Sequence, residues 1–304
     1  MQLSQEKANK LKKMAAVSSI SLAVLLCVLK TVAVFSTGSL AVLSSMVDSL
    51  SDILASLVTF FAVKISVKPA SYNYRYGYGK TEALSALFQS LFVAISGLFI
   101  LYDSILRFWH PVELKQTDFG LAVMIFSLIA TIILVIFQQM VAKKTNSQAI
   151  AADSLHYKVD ILTNMSIIVS LGVVRFWGFT QADTIIAVLI AMYLLWNAYD
   201  LAKDAVRLLL DRELDIKIRE DVLDLISSHR LNLEAHDLRT RDLGGVYMFE
   251  FHLELDGKLD LYTAHKYTDE VENIIRSKYP DAQIIIHQDP KGIKEDRLDN
   301  RLRK

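Results

Sequence analysis

The sequence predicts an all-α membrane domain of six transmembrane helices followed by a small α+β domain of order αββαβ, ferredoxin-like in arrangement. Three observations carry that expectation. The 304-residue chain is 53% hydrophobic yet 22% charged, so its charge must be segregated along the sequence rather than spread over one surface. Apolar runs of about 20 residues, enough to cross a bilayer, recur through the first two thirds. From about Arg207 onward, acids, bases and histidines become dense. The boundaries that follow are a six-span domain over 1–206, an α+β domain over 207–291 and a charged tail over 292–304.

The spans fall near 15–35, 41–63, 84–106, 119–141, 150–175 and 184–203. Bases precede the first, but its length and the lack of a small-residue cleavage site after it mark a retained helix rather than a signal peptide. The second and fifth contain Asp and His, so their assignment rests partly on those residues sharing one helical face. Lys7, Lys10, Lys12 and Lys13 precede the first span, Lys64, Lys68, Arg75 and Lys80 follow the second, and Lys143 and Lys144 follow the fourth. The opposite loops carry few bases, chiefly Arg107, Lys115 and Arg175. An excess of bases on one side places both termini and the α+β domain in the cytoplasm. Trp109 and Trp177 lie at span ends, where interfacial aromatics are expected.

Beyond the sixth span, Glu213–His229 reads as an amphipathic helix, and His236–Asp242 and Val246–Leu255 as strands flanking the turn Leu243-Gly244-Gly245. Leu261–Tyr279 reads as a second helix and Ala282–Gln288 as a closing strand. Helices on one face of a sheet satisfy this order. The last segment, KEDRLDNRLRK, is charged on all sides and is expected to be solvated.

Composition also excludes function classes. The 33 basic and 33 acidic residues cancel, so no global basic field points to nucleic acid. Cys27 is the single cysteine, which rules out an intrachain disulfide framework and a Cys-based zinc knuckle.

The second span reads SSMVDSLSDILASLVTF, with Asp48 and Asp52 four residues apart and therefore on one helical face. A carboxylate inside a bilayer costs at least about 2.5 kcal/mol. Two on one face imply a water-filled path, a cation, or both; protonated acids bonding two helices are the bland alternative. The fifth span, AIAADSLHYKVDILTNM, repeats the spacing with His156 and Asp160. Face to face, the two pairs supply three carboxylates and one imidazole, a set suited to a tetrahedral site. The imidazole favours zinc or cadmium, where an all-carboxylate set would favour manganese or iron. Asp153, on the same side as His156, is expected behind the ligands or on the access path.

DxxxD in the second span, HxxxD in the fifth, the loop GYGKTEALSALFQS and the C-terminal IIIHQDP together resemble the cation diffusion facilitator family, particularly its bacterial zinc and iron efflux members. The similarity runs over nearly the whole chain. It implies a homodimer in the bacterial inner membrane, alternating access to a site of Asp48, Asp52, His156 and Asp160, and exchange of metal for protons. That exchange has a physical basis, because such ligands bind metal only when deprotonated. No catalytic cofactor is expected, and zinc or a similar divalent ion enters as substrate and as a structural or regulatory ion of the α+β domain.

Five of the seven histidines lie from His229 onward. His252 alternates with apolar residues in FEFHLEL, and His287 closes a strand two residues before Asp289, so both side chains can share a sheet face. The resemblance maps a cytoplasmic metal pair onto His236, His252, His265, His287 and Asp289. His229 is expected to be a solvated helix-terminal residue, and His110 to be interfacial. Where some relatives bind a further ion after the second span, this chain offers Ser71, Tyr74 and Tyr78. Phenols with a pKa near 10 are poor zinc ligands, so that loop site is expected to be absent. The resemblance also pairs Lys80 with Asp211 to hold a dimer near the membrane surface; two exposed charges among headgroups are the plainer reading.

Two rival functions stay open on sequence. An Asp-rich membrane enzyme of the prenyltransferase kind would need further aspartate motifs and phosphate-binding bases, and neither His156 nor the histidine-rich sheet fits it. A non-transporting metal sensor would need only the α+β domain. The expectation is a transporter and not an enzyme.

Overall fold

The computed structural model describes residues 5–37, 40–109, 118–177, 182–293 and 297–302. The chain divides into two compact units, Met1–Val206 and Arg207–Lys304.

The first unit is built from six long helices: α1 (Gln5–Thr37), α2 (Leu40–Ser66), α3 (Thr81–Trp109), α4 (Asp118–Thr145), α5 (Gln148–Trp177) and α6 (Ala182–Leu209). At 1.5 Å per residue each runs about 40 Å or more, longer than a bilayer's hydrocarbon core of about 30 Å. Each therefore outruns the apolar block that announced it. Among the described residues, α1, α3, α4 and α6 contain stretches long and apolar enough to cross a membrane. Helices α2 and α5 carry the Asp and His residues, which lower their hydropathy. They pack together, α2 also against α1 and α3, and α5 against α3 and α4, so their polar stripes face neighbouring helices. The outer surface stays apolar, with Phe88, Phe92, Leu98 and Phe99 all exposed along α3, as a lipid-facing helix requires.

One end of this bundle is fastened by a buried acid. Glu82, in the first turn of α3, is 4% exposed. Its Oε1 accepts from Lys12 Nζ of α1 at 2.9 Å and from Ser66 Oγ of α2 at 2.9 Å, and its Oε2 accepts from Ser147 Oγ. Ser147 Oγ in turn accepts the amide of Ile150 at the start of α5. The carboxylate is thus fully engaged, and Lys12, 5% exposed, has its counter-charge at hydrogen-bond distance.

The second unit contains α7 (Ile216–Ser227), β1 (Glu234–Asp242), β2 (Tyr247–Leu255), α8 (Leu261–Lys278), β3 (Gln283–Pro290) and α9 (Leu298–Leu302). The sheet order is β1-β2-β3, antiparallel between the first two and parallel between the last two. Helix α7 begins later than the sequence suggests because Asp215 caps it, accepting the Lys217 amide. Glu213 instead accepts from the amide and hydroxyl of Thr240 on β1. Alternation along β2 sorts its side chains. Phe249, Phe251 and Leu253 enter a core with Val222, Ile226 and Val271 of the two helices, and burying each large apolar side chain contributes about 1.5–3 kcal/mol. The even-numbered residues of β2 therefore point to the face away from the helices.

Helices α7 and α8 are also tied through Asp221, which accepts from Lys278 Nζ and from Tyr279 Oη at 2.7 Å. The Lys278 bond, seconded by Tyr279, holds the Asp221 carboxyl below the usual range, while burial and the Asp221 bond push the Tyr279 phenol up. A depressed carboxylate pKa contributes stability above the unfolded value, near 3.9, that is lost as pH falls through the folded value. With Lys278 half exposed, the effect is about 0.5–1 kcal/mol. Asp221→Asn is expected to lower the melting temperature slightly at pH 7, with the gap to wild type closing at acid pH; a gap unchanged by pH would refute the linkage.

Candidate metal centres

Among the described residues, a buried Asp–His contact joins two helices of the first unit, and a group of three side chains able to hold an ion lies in the second. In the first, α2 presents Asp52 and α5 presents His156. His156 Nε2 lies 3.2 Å from Asp52 Oδ1, with side chains 13% and 9% exposed. Asp160 lies one turn along α5 from His156. Asp48 occupies the expected turn of α2, but its side chain lies outside the described residues. The structure thus joins the two helices through one member of each predicted pair.

Below this contact runs a column of buried polar groups. Asp153, fully buried, accepts from Ser19 Oγ and Gln138 Nε2, each at 2.5 Å. Ser19 bonds Ser56 at 2.8 Å, and Ser56 bonds the Tyr157 hydroxyl at 2.8 Å. Gln89 donates to Thr59 at 2.7 Å. Polar residues from α1, α2, α3, α4 and α5 therefore converge beside the Asp52–His156 contact. Asp153 is thus held by Ser19 of α1 and Gln138 of α4.

The second cluster is a product of strand register. His236 of β1 pairs with His252 of β2, which pairs with His287 of β3, so three imidazoles form one row across the sheet face turned from the helices. His236 and His252 rings have centroids 5.1 Å apart, and those of His252 and His287 are 4.7 Å apart. Two residues past His287, on the same face, Asp289 Oδ2 lies 2.6 Å from His252 Nδ1 and 3.5 Å from His236 Nε2. Its Oδ1 is 3.2 Å from His287 Nε2. His236, His252 and Asp289 each offer one ligand atom within 4.8 Å of the others, close enough for one ion after small side-chain adjustment, and nitrogen with carboxylate oxygen suits zinc. His265 stands apart, 66% exposed on α8 and 3.6 Å from Asp269.

Sequence reasoning missed several residues around this row. A bulge between His236 and Arg239 places Asp237 at φ 52°, and its carboxylate accepts the amides of Leu298 and Asp299. Burial opposes ionisation of Asp237, but those two backbone bonds outweigh it and hold the carboxyl below the usual range. Glu254, two residues beyond His252, has Oε1 at 3.3 Å from His236 Nδ1 and accepts from Arg297 at 2.5 Å. The segment expected to be solvated thus carries α9, pinned to β1. His229 is also unlike its expectation. Its side chain is 3% exposed, with Nε2 at 2.8 Å from Glu270 and Nδ1 accepting the Leu231 amide, so it fastens the end of α7 to α8. The His229 bond, with Arg230, holds the Glu270 carboxyl low.

After the second span, the three residues that replace possible ligands satisfy one another. Ser71 Oγ and Tyr78 Oη are 2.9 Å apart, Ser71 and Tyr74 exchange backbone bonds, and the Tyr74 and Tyr78 rings lie 4.8 Å apart. Asp211 lies 3.4 Å from Arg241 within the second unit. His110 lies outside the described residues, as do the side chains of Trp109 and Trp177.

Comparison with known proteins places both units. A model described as the cation efflux transmembrane domain matches residues 16–210, and one described as the cation efflux protein, cytoplasmic domain, matches 214–291. The cation-efflux pump FieF of Serratia proteamaculans is 40% identical over 281 residues, 92% of this chain and 93% of its own length. FieF of Salmonella paratyphi A and of Salmonella enteritidis are each 40% identical over 282 residues, 93% of this chain and 94% of theirs.

Proposed function

The chain belongs to the cation diffusion facilitator family of cation efflux transporters, and from that premise we propose that it exports a divalent transition metal from the cytoplasm in exchange for protons. Zinc is the foremost substrate, with cadmium and ferrous iron able to use the same ligands. It is a membrane protein and not an enzyme; the proposed setting is the bacterial inner membrane, with α2 and α5 as the second and fifth of six spans and both termini cytoplasmic.

The observation that carries the reading is the buried contact of His156 Nε2 with Asp52 Oδ1 between α2 and α5. Asp48 and Asp160 complete the proposed set, each one helical turn from a member of that contact. Three carboxylates and an imidazole must shed protons to hold a metal. A metal taken up between His156 and Asp52 would displace any proton held on their 3.2 Å contact. Metal and protons then occupy the same groups in turn, which couples their opposite movements, and an inward proton gradient drives the metal out.

In the second unit, His236, His252 and Asp289 would hold an auxiliary ion, with His287 and His265 extending the set to a pair of ions. A bound ion there supplies positive charge that ties the three strands together. His265 is the member its own chain does not bring to the row, so a second copy would have to deliver it; this favours the homodimer that the second domain's family implies. Lys80 and Asp211 are the charges proposed to hold that dimer near the membrane.

Uptake of zinc into everted membrane vesicles, with competing metals at controlled pH, tests the exporter. An acid-interior gradient is expected to drive uptake, and collapsing it is expected to stop accumulation. His156→Asp is expected to shift preference from zinc toward manganese or iron. Accumulation indifferent to the gradient would refute antiport, and no flux at all would favour a sensor.

A further inference from the structure

Arg297 bonds one carboxylate oxygen of Glu254, and the His236 ring approaches that same oxygen without a hydrogen bond to it. Glu254 Oε1 accepts from Arg297 Nη2 at 2.5 Å and lies 3.3 Å from His236 Nδ1. The other nitrogen of that ring, Nε2, faces Asp289 Oδ2 at 3.5 Å, within the group of donors that can hold an ion. Glu254 is 9% exposed, so this is a sheltered oxygen rather than a solvated one.

Helix α9 directly follows Arg297 in the chain. It is five residues long, none of them buried. Its attachment includes Asp237 accepting the Leu298 and Asp299 amides at 2.8 and 2.9 Å, Asp299 accepting the Asp237 amide at 3.0 Å, and the Arg297–Glu254 bond. Asp237 directly follows His236 in the bulge of β1. Two anchors of α9 thus lie beside His236: one the next residue in the chain, the other the carboxylate beside its ring.

A dication on His236 Nε2 changes the terms on which that oxygen is shared. Metal on one imidazole nitrogen polarises the other N–H and makes it a stronger donor, the usual reason a metal-bound histidine is backed by a carboxylate. The same dication repels a guanidinium held at the far side of that carboxylate.

We propose that Arg297 sets the metal affinity of the His236, His252 and Asp289 cluster by competing with His236 for Glu254, so that metal binding and docking of α9 oppose each other. This rests on the cluster being a metal site. Because linkage is reciprocal, metal that loosens α9 must bind more tightly when α9 is already loose. The C-terminal helix then signals the metal load of the domain, being docked when metal is scarce and released when it is abundant.

The test uses the full chain in detergent, carrying Asp52→Ala and His156→Ala so that zinc binding reports the second unit. Zinc is titrated against a competing chelator, and hydrogen exchange is followed for the peptide containing Leu298 and Asp299. Zinc is expected to speed exchange at those amides. Arg297→Gln is expected to bind zinc about two- to fivefold more tightly, in keeping with the loss of one partly exposed ion pair. Asp299→Ala, which weakens docking without touching Glu254, is expected to shift affinity in the same direction. Unchanged or slowed exchange on adding zinc, or unchanged or weaker binding by both variants, would overturn the proposal. Adding His252→Ala separates the two levels: if it removes no zinc, the cluster is not a metal site and that reading fails first.

Discussion

Asp52→Ala is expected to abolish metal-driven transport while leaving a folded protein. Asp52 touches His156 across the α2–α5 interface, so the substitution removes a proposed ligand together with the group that contacts the imidazole. Loss of an orienting partner costs about 10–100-fold in metal affinity, and loss of a ligand costs more, so flux should fall by at least about 100-fold. Reconstituted proteoliposomes loaded with a zinc-sensitive dye measure the rate, and size-exclusion behaviour monitors folding. Wild-type flux from a well-folded Asp52→Ala protein would remove this aspartate from the transport path.

Glu82→Gln should give the largest loss of stability. The substitution keeps the shape of the hub but leaves Lys12, 5% exposed, without its counter-charge. Breaking one side of a buried pair costs about 3–5 kcal/mol, mostly from the stranded ion. A marked drop in the temperature at which the detergent-solubilised protein aggregates is the expected result. Adding Lys12→Met removes the stranded charge and should recover much of the loss, since apolar replacement of such a pair is often neutral. If Glu82→Gln melted with wild type, the hub would contribute nothing to stability.

The contrast between these two residues shows what the sequence made legible. Asp52 and His156 were readable because a four-residue repeat on each of two apolar helices is a local pattern, and a charge in a bilayer is conspicuous. Glu82 was not, because its partners Lys12 and Ser147 lie 70 and 65 residues away and each looks like an ordinary polar residue at a helix end. The histidine row was half readable. Alternation placed His252 and His287 on one face, whereas bringing His236 to the same row required the strand order and register. The docking of α9 was invisible, since five of the eleven residues of KEDRLDNRLRK are basic and nothing in their order names Asp237 or Glu254 as acceptors. His229 misled for a related reason: a polar helix end reads as solvated until α8 closes over it.

The bulge in β1 has a consequence for how this chain tolerates change in length. Two successive residues of a regular strand point to opposite faces, so His236 in the imidazole row would ordinarily commit Asp237 to the core side. The extra residue breaks that parity, and the phase is restored by Arg239, opposite Glu250. Within this one interruption the strand sends a ring toward His252 and Asp289 and a carboxylate toward the C-terminal helix. Deleting a single residue here would restore a regular strand, and that strand could keep its register on the side of the row or on the side of the cap, but not on both.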